Sequence, residues 1–150
     1  MAYTPGKNKL FAGVPNALSV SYGGSAAITL YDVTAFDYNF NGTTFENQAD
    51  DDLWAKNGET HEIGVTIDVT CRDQYAASVL GPDVTIQGLT AVFSGRGAAV
   101  TNTKTVHLTD GVVQTLSITG AHGNTPQETR FSIMGFSADG DTTPLSQTLA

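Results

Sequence analysis

Basic side chains are scarce in this sequence. Seven Lys and Arg stand against fifteen Asp and Glu, a formal net charge of −8 over 150 residues. A protein that wraps nucleic acid needs clustered cations to displace the counterions of the phosphate backbone, so the composition excludes tight nucleic-acid binding as its main role. There is one cysteine, Cys71. It forbids an internal disulfide and excludes a disulfide-stapled secreted scaffold, which fits folding in a reducing cytoplasm. Lys7 and Lys9 precede an apolar stretch, Leu10 to Val14, that meets Pro15 well short of a signal-peptide core. No apolar run approaches a membrane span. Straight-chain helix formers are few, so helix is expected to be minor.

What is abundant is strand and turn chemistry: sixteen glycines, with many Thr, Ser, Val and Ile. The length suits one domain with one core. Residues 1–17, with Pro5, Gly6, Gly13 and Pro15, read as an extended N-terminal arm. A single β domain follows over 18–137, and 138–150 reads as a C-terminal tail. Leu18 to Tyr22, Gly23-Gly24 and Ala26 to Ala35 form a first hairpin. Residues 37–59 show no regular period and are expected to be one long irregular loop. Loops of that length in compact domains are usually functional or partner-bound, and this one holds Tyr38, Phe40, Phe45 and Trp54 beside Asp50, Asp51 and Asp52.

The clearest strand is Thr60 to Arg72. His61, Ile63, Val65, Ile67, Val69 and Cys71 share one face, and Glu62, Gly64, Thr66, Asp68, Thr70 and Arg72 the other. Asp73 is a good N-cap for one short helix, DQYAASVL, which Gly81-Pro82 ends. Further strands are expected at Val84 to Phe93, Lys104 to Leu108, Val112 to Thr119 and Glu128 to Ser137. The predicted turns between them are Gly95-Arg96-Gly97 and Asp110-Gly111, the latter the strongest local hairpin signal. The fold class is therefore mainly β: an antiparallel β-sandwich or partly closed barrel with one short flanking helix.

Candidate chemistry is thin. Cys71 with His61, His107 and His122 raises a thiol nucleophile or metal site. No His-x-x-x-His spacing supports it, and Cys71 closes an apolar face, as a buried inert thiol does. Asp50 to Asp52, or Asp139 with Asp141, could bind a hard cation, yet neither stretch has the alternate acids, central Gly and terminal Glu of a calcium loop. Asp68 and Arg72 could pair through a neighbouring strand. Asn41-Gly42-Thr43 matches a glycosylation acceptor without a secretory signal to expose it. No base, nucleophile and stabiliser can be nominated together, so no enzyme, cofactor or metal is expected.

Long strands leave sheet edges whose unpaired backbone groups invite another chain. The arm, the aromatic acidic loop and the tail point to contacts between subunits. The order of features resembles the tail tube proteins (major tail proteins) of long-tailed bacteriophages: a hairpin, a long irregular loop, the strand HEIGVTIDVTCR, the helix DQYAASVL and the closing ETRFSIMGFSADGDTTPLS. The resemblance spans most of residues 18–146.

It implies a sandwich flanked by one helix, in hexameric rings stacked through loops and termini. A lumen lined by long strands would pass DNA without specific binding, and an acidic lining would keep DNA from sticking. On this resemblance Thr66, Asp68 and Thr70 are lumen candidates. Asp50, Asp51, Asp52 and Trp54, with Tyr38, Phe40 and Phe45, are candidate inter-subunit contacts. The protein would be made in the host cytoplasm and reside in the virion tail beside other virion proteins, with no membrane partner. A head-decoration or head-to-tail connector protein is the structural alternative. A carbohydrate- or receptor-binding module using Tyr38, Phe40 and Trp54 as a flat platform is the alternative of another class.

Overall fold

Period-two alternation builds most of the chain. A computed structural model describes residues 10–47, 57–96, 102–120, 123, 125–137, 139, 140 and 142–149. The strands are β1 (Leu10–Phe11), β2 (Ala17–Tyr22), β3 (Ile28–Leu30), β4 (Val33–Asn47), β5 (Asn57–Cys71), β6 (Thr85–Arg96), β7 (Thr103–Leu108), β8 (Gly111–Thr119), β9 (Glu128–Gly135) and β10 (Leu145–Leu149), with α1 (Gln74–Val79) between β5 and β6.

All strand pairs are antiparallel, in the order β10-β7-β6-β8-β9-β5-β4. The other edge of β6 carries β1 and β2, and β3 pairs with β2. The two halves meet where Thr85 and Ile86 of β6 pair with Val112 and Gly111 of β8, and there the sheet folds over on itself. One layer is β3-β2-β6-β7-β10 and the other β8-β9-β5-β4. Their inner faces touch directly: the Phe36 ring of β4 meets Phe93 of β6 edge-on at 5.6 Å. Between them lie the fully buried Leu18, Val20, Ile67, Val69, Leu89, Leu108, Phe131 and Ile133. Each such side chain contributes about 1.5–3 kcal/mol by leaving water.

The predicted alternation of β5 holds where side chains are described. Val65, Ile67, Val69 and Cys71 are at most 2% exposed. The predicted helix is also present, capped by Asp73, whose Oδ1 accepts from Tyr75 N at 3.0 Å, and closed by Leu80 N donating to Ala76 O at 2.9 Å. Six residues cannot hold a helix alone. Burial of Ala76 and Leu80 does.

Several sequence readings need correction. The irregular loop over 37–59 is instead strand through Asn47 and again from Asn57. Phe36, Tyr38 and Phe40 do alternate, but Asp37, Asn39, Asn41 and Gly42 between them are poor strand formers, so only pairing with β5 fixes the conformation. Asp110-Gly111 makes no hairpin, because β7 pairs with β6 and β10 while β8 pairs with β6 and β9. The chain changes layer there. Gly111 serves close packing: a Cβ on it would lie 2.8 Å from Ile133 Cγ2. Opposite it, a Cβ on Gly135 would lie 2.8 Å from Leu108 Cδ1.

Of the predicted Gly95-Arg96-Gly97 turn, Gly95 and Arg96 continue β6, paired with β1, and Gly97 lies outside the described residues. The first hairpin does turn at Gly23 and Gly24, both at positive φ. Its second strand stops at Leu30, and Asp32 at φ 53 starts the crossing to the other layer. Residues 10–16 of the expected arm run along β6, with Ala12 N on Ser94 O at 2.9 Å and Asn16 N on Val92 O at 2.8 Å. In the expected tail, Leu145–Leu149 forms β10, anchored by buried Leu145.

Candidate functional site

β4 and β5 are each fifteen residues long and pair from Val33↔Cys71 to Asn47↔Asn57. β9 supports β5 only from Cys71 to Val65. From Asn41↔Gly64 outward, the two strands pair with no other strand among the described residues. At about 3.3 Å per residue the ribbon extends about 20 Å past the sheet. A register shift between Asn41 and Thr43 marks its root, and such a bulge bends and twists the pair. A two-stranded hairpin is at best marginally stable in water by itself.

The predicted contact residues separate into four groups. Tyr38 turns inward: its hydroxyl donates to Gln147 Oε1 at 2.6 Å, and Lys104 Nζ sits 5.0 Å from its ring centre. Tyr38 is half-buried and ties β4 to β10 and β7. Phe40 lies on the same inner face but past the packed core, 50% exposed. Phe45 is in the ribbon, where its backbone pairs with Glu59. Asp50, Asp51, Asp52 and Trp54 lie outside the described residues.

Thr66, Asp68 and Thr70 share the outer face of the β8-β9-β5-β4 layer. Across the strands they meet Asn39, Asp37 and Ala35 on β4, and Met134, Ser132 and Arg130 on β9. Thr115 and Ser117 of β8 complete the face. Thr66 and Asp68 are half-buried, whereas Thr70 presents only 8% of its surface. Asp37 stands directly opposite Asp68. Like charges in that position destabilise a sheet, so nothing in folding favours the pair. Arg72 finds Glu128, Nε to Oε1 3.8 Å, as its cross-strand partner.

The other titratable candidates do not converge. Cys71 is fully buried, and burial pushes its thiol up from the ordinary value. Its Sγ lies 3.8 Å from Asp73 O. His107 Nδ1 pairs with Thr90 Oγ1 at 3.0 Å on the opposite layer. His122 and the side chain of His61 are outside the described residues. Asp139 organises its own turn, accepting from Ser137 Oγ at 2.8 Å, Thr142 N at 2.8 Å and Thr142 Oγ1 at 2.7 Å. Asp141 is not described. Among the described residues no group of three His, Cys, Asp or Glu comes together.

One cluster is invisible in the sequence. Asp73 accepts from Tyr75 N through Oδ1 and from Tyr31 N through Oδ2, both at 3.0 Å, which draws the start of β4 to the start of α1. The Tyr75 side chain hydrogen-bonds that of Tyr22, holding the Tyr22 hydroxyl above its ordinary pKa. Asp73 thus ties the Tyr31 backbone to the helix start, beside the Tyr22–Tyr75 pair, at the end of β4 and β5 opposite the ribbon. The separation of Tyr22, Tyr31 and Tyr75 by nine and forty-four positions along the chain gave no local signal.

No protein-family profile matches the chain, and no curated protein is significantly similar to it in sequence. Solved structures are similar. A chain in the sixfold-symmetrised baseplate of the anti-feeding prophage aligns with a TM-score of 0.50 and 5% identity, covering 98% of this chain and 97% of that one. A chain in the tail of an empty GTA particle, refined helically with C6 symmetry, gives 0.48 and 14% identity over 97% and 99% of the two chains. One in the tube-terminating cap of the anti-feeding prophage gives 0.45 and 11% over the full length of both. At the first of these levels the likeness is one of fold, over nearly the full length of both chains.

Proposed function

We propose that this chain is a tail tube subunit of a long-tailed bacteriophage or a related particle. Six copies form a ring, rings stack, and the assembled lumen conducts DNA. The role is structural, without catalysis or cofactor, in a virion tail assembled with other virion proteins after synthesis in the host cytoplasm.

The observation that carries this reading is the β4–β5 ribbon. A pair of strands that leaves its own sheet for about 20 Å needs a surface from another chain to be stable. The edges of β4 and β10, each paired on one side only among the described residues, add backbone donors and acceptors for neighbours. Fold likeness to a chain of a sixfold baseplate, and the order of sequence features resembling tail tube proteins, favour the sixfold ring over other assemblies. For the lumen, the face carrying Thr66, Asp68 and Thr70 is the candidate, since opposed Asp37 and Asp68 give it carboxylates that repel phosphate.

Electron microscopy of the purified protein across a concentration series tests the proposal. Rings with sixfold projections, or tubes built from them, are expected. A strict monomer at every concentration overturns it.

A further inference from the structure

The ribbon carries both Asn-Gly pairs of the sequence, Asn41-Gly42 at its root and Asn57-Gly58 at its far end. In such a pair the glycine nitrogen can attack the asparagine carboxamide, because glycine has no Cβ to hold the chain off and reaches backbone angles closed to other residues. A packed strand prevents the attack by fixing the backbone extended. Four features remove that protection at Asn41. Asn41 and Gly42 are both exposed. The ladder is broken at Gly42: pairing steps from Asn41↔Gly64 to Thr43↔His61, so Glu62 and Ile63 together stand opposite Gly42. β9 ends its support of β5 at Val65, one residue short of Gly64. The Asn41 side chain makes no hydrogen bond among the described residues, whereas Asn16 donates through Nδ2 to Ser94 Oγ. Asn39, two residues earlier on β4, is also exposed. It is followed by Phe40, however, and pairs with Thr66 inside the stretch that β9 backs.

We infer that Asn41 is a site of self-modification, converted to aspartate and isoaspartate through a cyclic imide with the Gly42 nitrogen. Gly42 N bonds to Asn41 Cγ, the bond from Cγ to Nδ2 breaks, and Nδ2 leaves as ammonia with the Gly42 amide proton. Water then opens the imide. Cleavage between Gly42 N and Cγ gives aspartate. Cleavage between Gly42 N and the Asn41 backbone carbonyl carbon gives isoaspartate, with the main chain now running through Cβ and Cγ. Water is the sole co-reactant. Either product adds a carboxylate in line with Asn39 and Asp37 on the outer face of β4. Isoaspartate also lengthens the backbone by one carbon where the ladder is already broken. The conversion is one-way, so the fraction changed records how long the ribbon of a copy has been open. This modification goes beyond the tube reading and stands without it.

The test uses the purified full chain, incubated at pH 8 and at pH 5. Peptide mapping by mass spectrometry, with aspartate and isoaspartate resolved, follows Asn41 and Asn39 side by side. Asn41 is expected to convert at least about tenfold faster than Asn39, because its backbone opens locally and its neighbour is glycine. The reaction should run faster at pH 8, where the amide nitrogen more readily gives up its proton, and yield both products. A rate at Asn41 no greater than at Asn39 overturns the inference. Aspartate as the sole product also overturns it, since direct hydrolysis of the side chain gives that acid alone.

A second measurement asks whether the fold leaves the pair open. Asn41 in the folded chain should convert within about tenfold of its rate in the urea-unfolded chain, because an element whose opening free energy is near zero samples reactive geometries almost as often. Greater protection overturns the inference. Gly42→Val places a branched side chain beside the attacking nitrogen and should slow conversion at least about tenfold, folded or in urea. The urea arm reads this whether or not the variant folds. An unchanged rate in Gly42→Val overturns the imide route.

Discussion

The two halves of the β4–β5 pair share one hydrogen-bond ladder and differ in everything around it. From Val33 to Phe40, β4 lays Phe36 and Tyr38 onto the core, and β5 opposite it is backed by β9. From Asn41 onward the same strands run free of the sheet. In the first half, stability comes from buried side chains. In the second, backbone pairing is the whole of the described support, and that is insufficient for a hairpin in water. The difference separates what this protein needs to fold from what it needs a partner for.

Deleting residues 43–61, leaving Gly42 joined to Glu62, breaks the comparison most severely. None of the described core side chains lies in that segment, so the denaturant midpoint should move by less than about 1 kcal/mol, the size of a surface change. Rings or tubes should disappear entirely by electron microscopy. A collapse of monomer stability instead would show that the ribbon belongs to the fold.

Within the supported half, Phe131→Ala removes a fully buried ring and should cost about 3–5 kcal/mol in urea unfolding. The half-exposed Phe40→Ala should cost a small fraction of that.

Two neighbouring glycines sharpen the boundary. Gly135, paired with Val65, has no space for a methyl group, whose carbon would sit 2.8 Å from Leu108. Gly135→Ala should cost about 1–3 kcal/mol. Gly64, one residue along β5 and already past β9, has nothing within 4 Å. Gly64→Ala should leave the midpoint unchanged or raise it slightly, since glycine weakens a strand.

Thr129, opposite Cys71, is fully buried, and its hydroxyl has no hydrogen-bond partner among the described residues. Thr129→Val keeps the shape, removes that desolvated group and should stabilise by about 1 kcal/mol in the same assay.

The smallest effect is the pH dependence of Cys71. Burial raises its thiol above the ordinary value of 9.0. A raised folded pKa means the contribution is complete below pH 9 and is lost as pH climbs through the folded value. The midpoint should sag on the alkaline side of pH 9, and Cys71→Ala should flatten that sag. A thiol reagent at pH 8 should label Cys71 only as fast as the protein opens.

Residues whose role is local were legible in the sequence. The alternation of β5 named Val65, Ile67, Val69 and Cys71 as core, and Asp73 announced the helix. Gly23 and Gly24 marked a turn that only positive φ can make. Reading failed where a residue has two physical uses. Asp110-Gly111 is the strongest hairpin signal by turn chemistry, yet Gly111 is glycine because Ile133 and Leu108 leave no room for a side chain. It failed again at Asp37 to Gly42, whose weak strand preference is overridden by thirteen paired positions with β5. Of the candidate contacts, Tyr38 carries ties within its own chain that leave no sign in the sequence, because Lys104 and Gln147 are distant along it.

The sequence by itself determined a single mainly β chain, its principal inward face and its one helix, because side-chain periodicity and capping act over a few residues. Tertiary structure alone decided which strands pair, where the sheet folds into two layers, that β4 and β5 outrun their support, and that Tyr22 and Tyr75 meet at the opposite end. Those outcomes depend on contacts between residues tens of positions apart, for which a pattern along the chain carries no record.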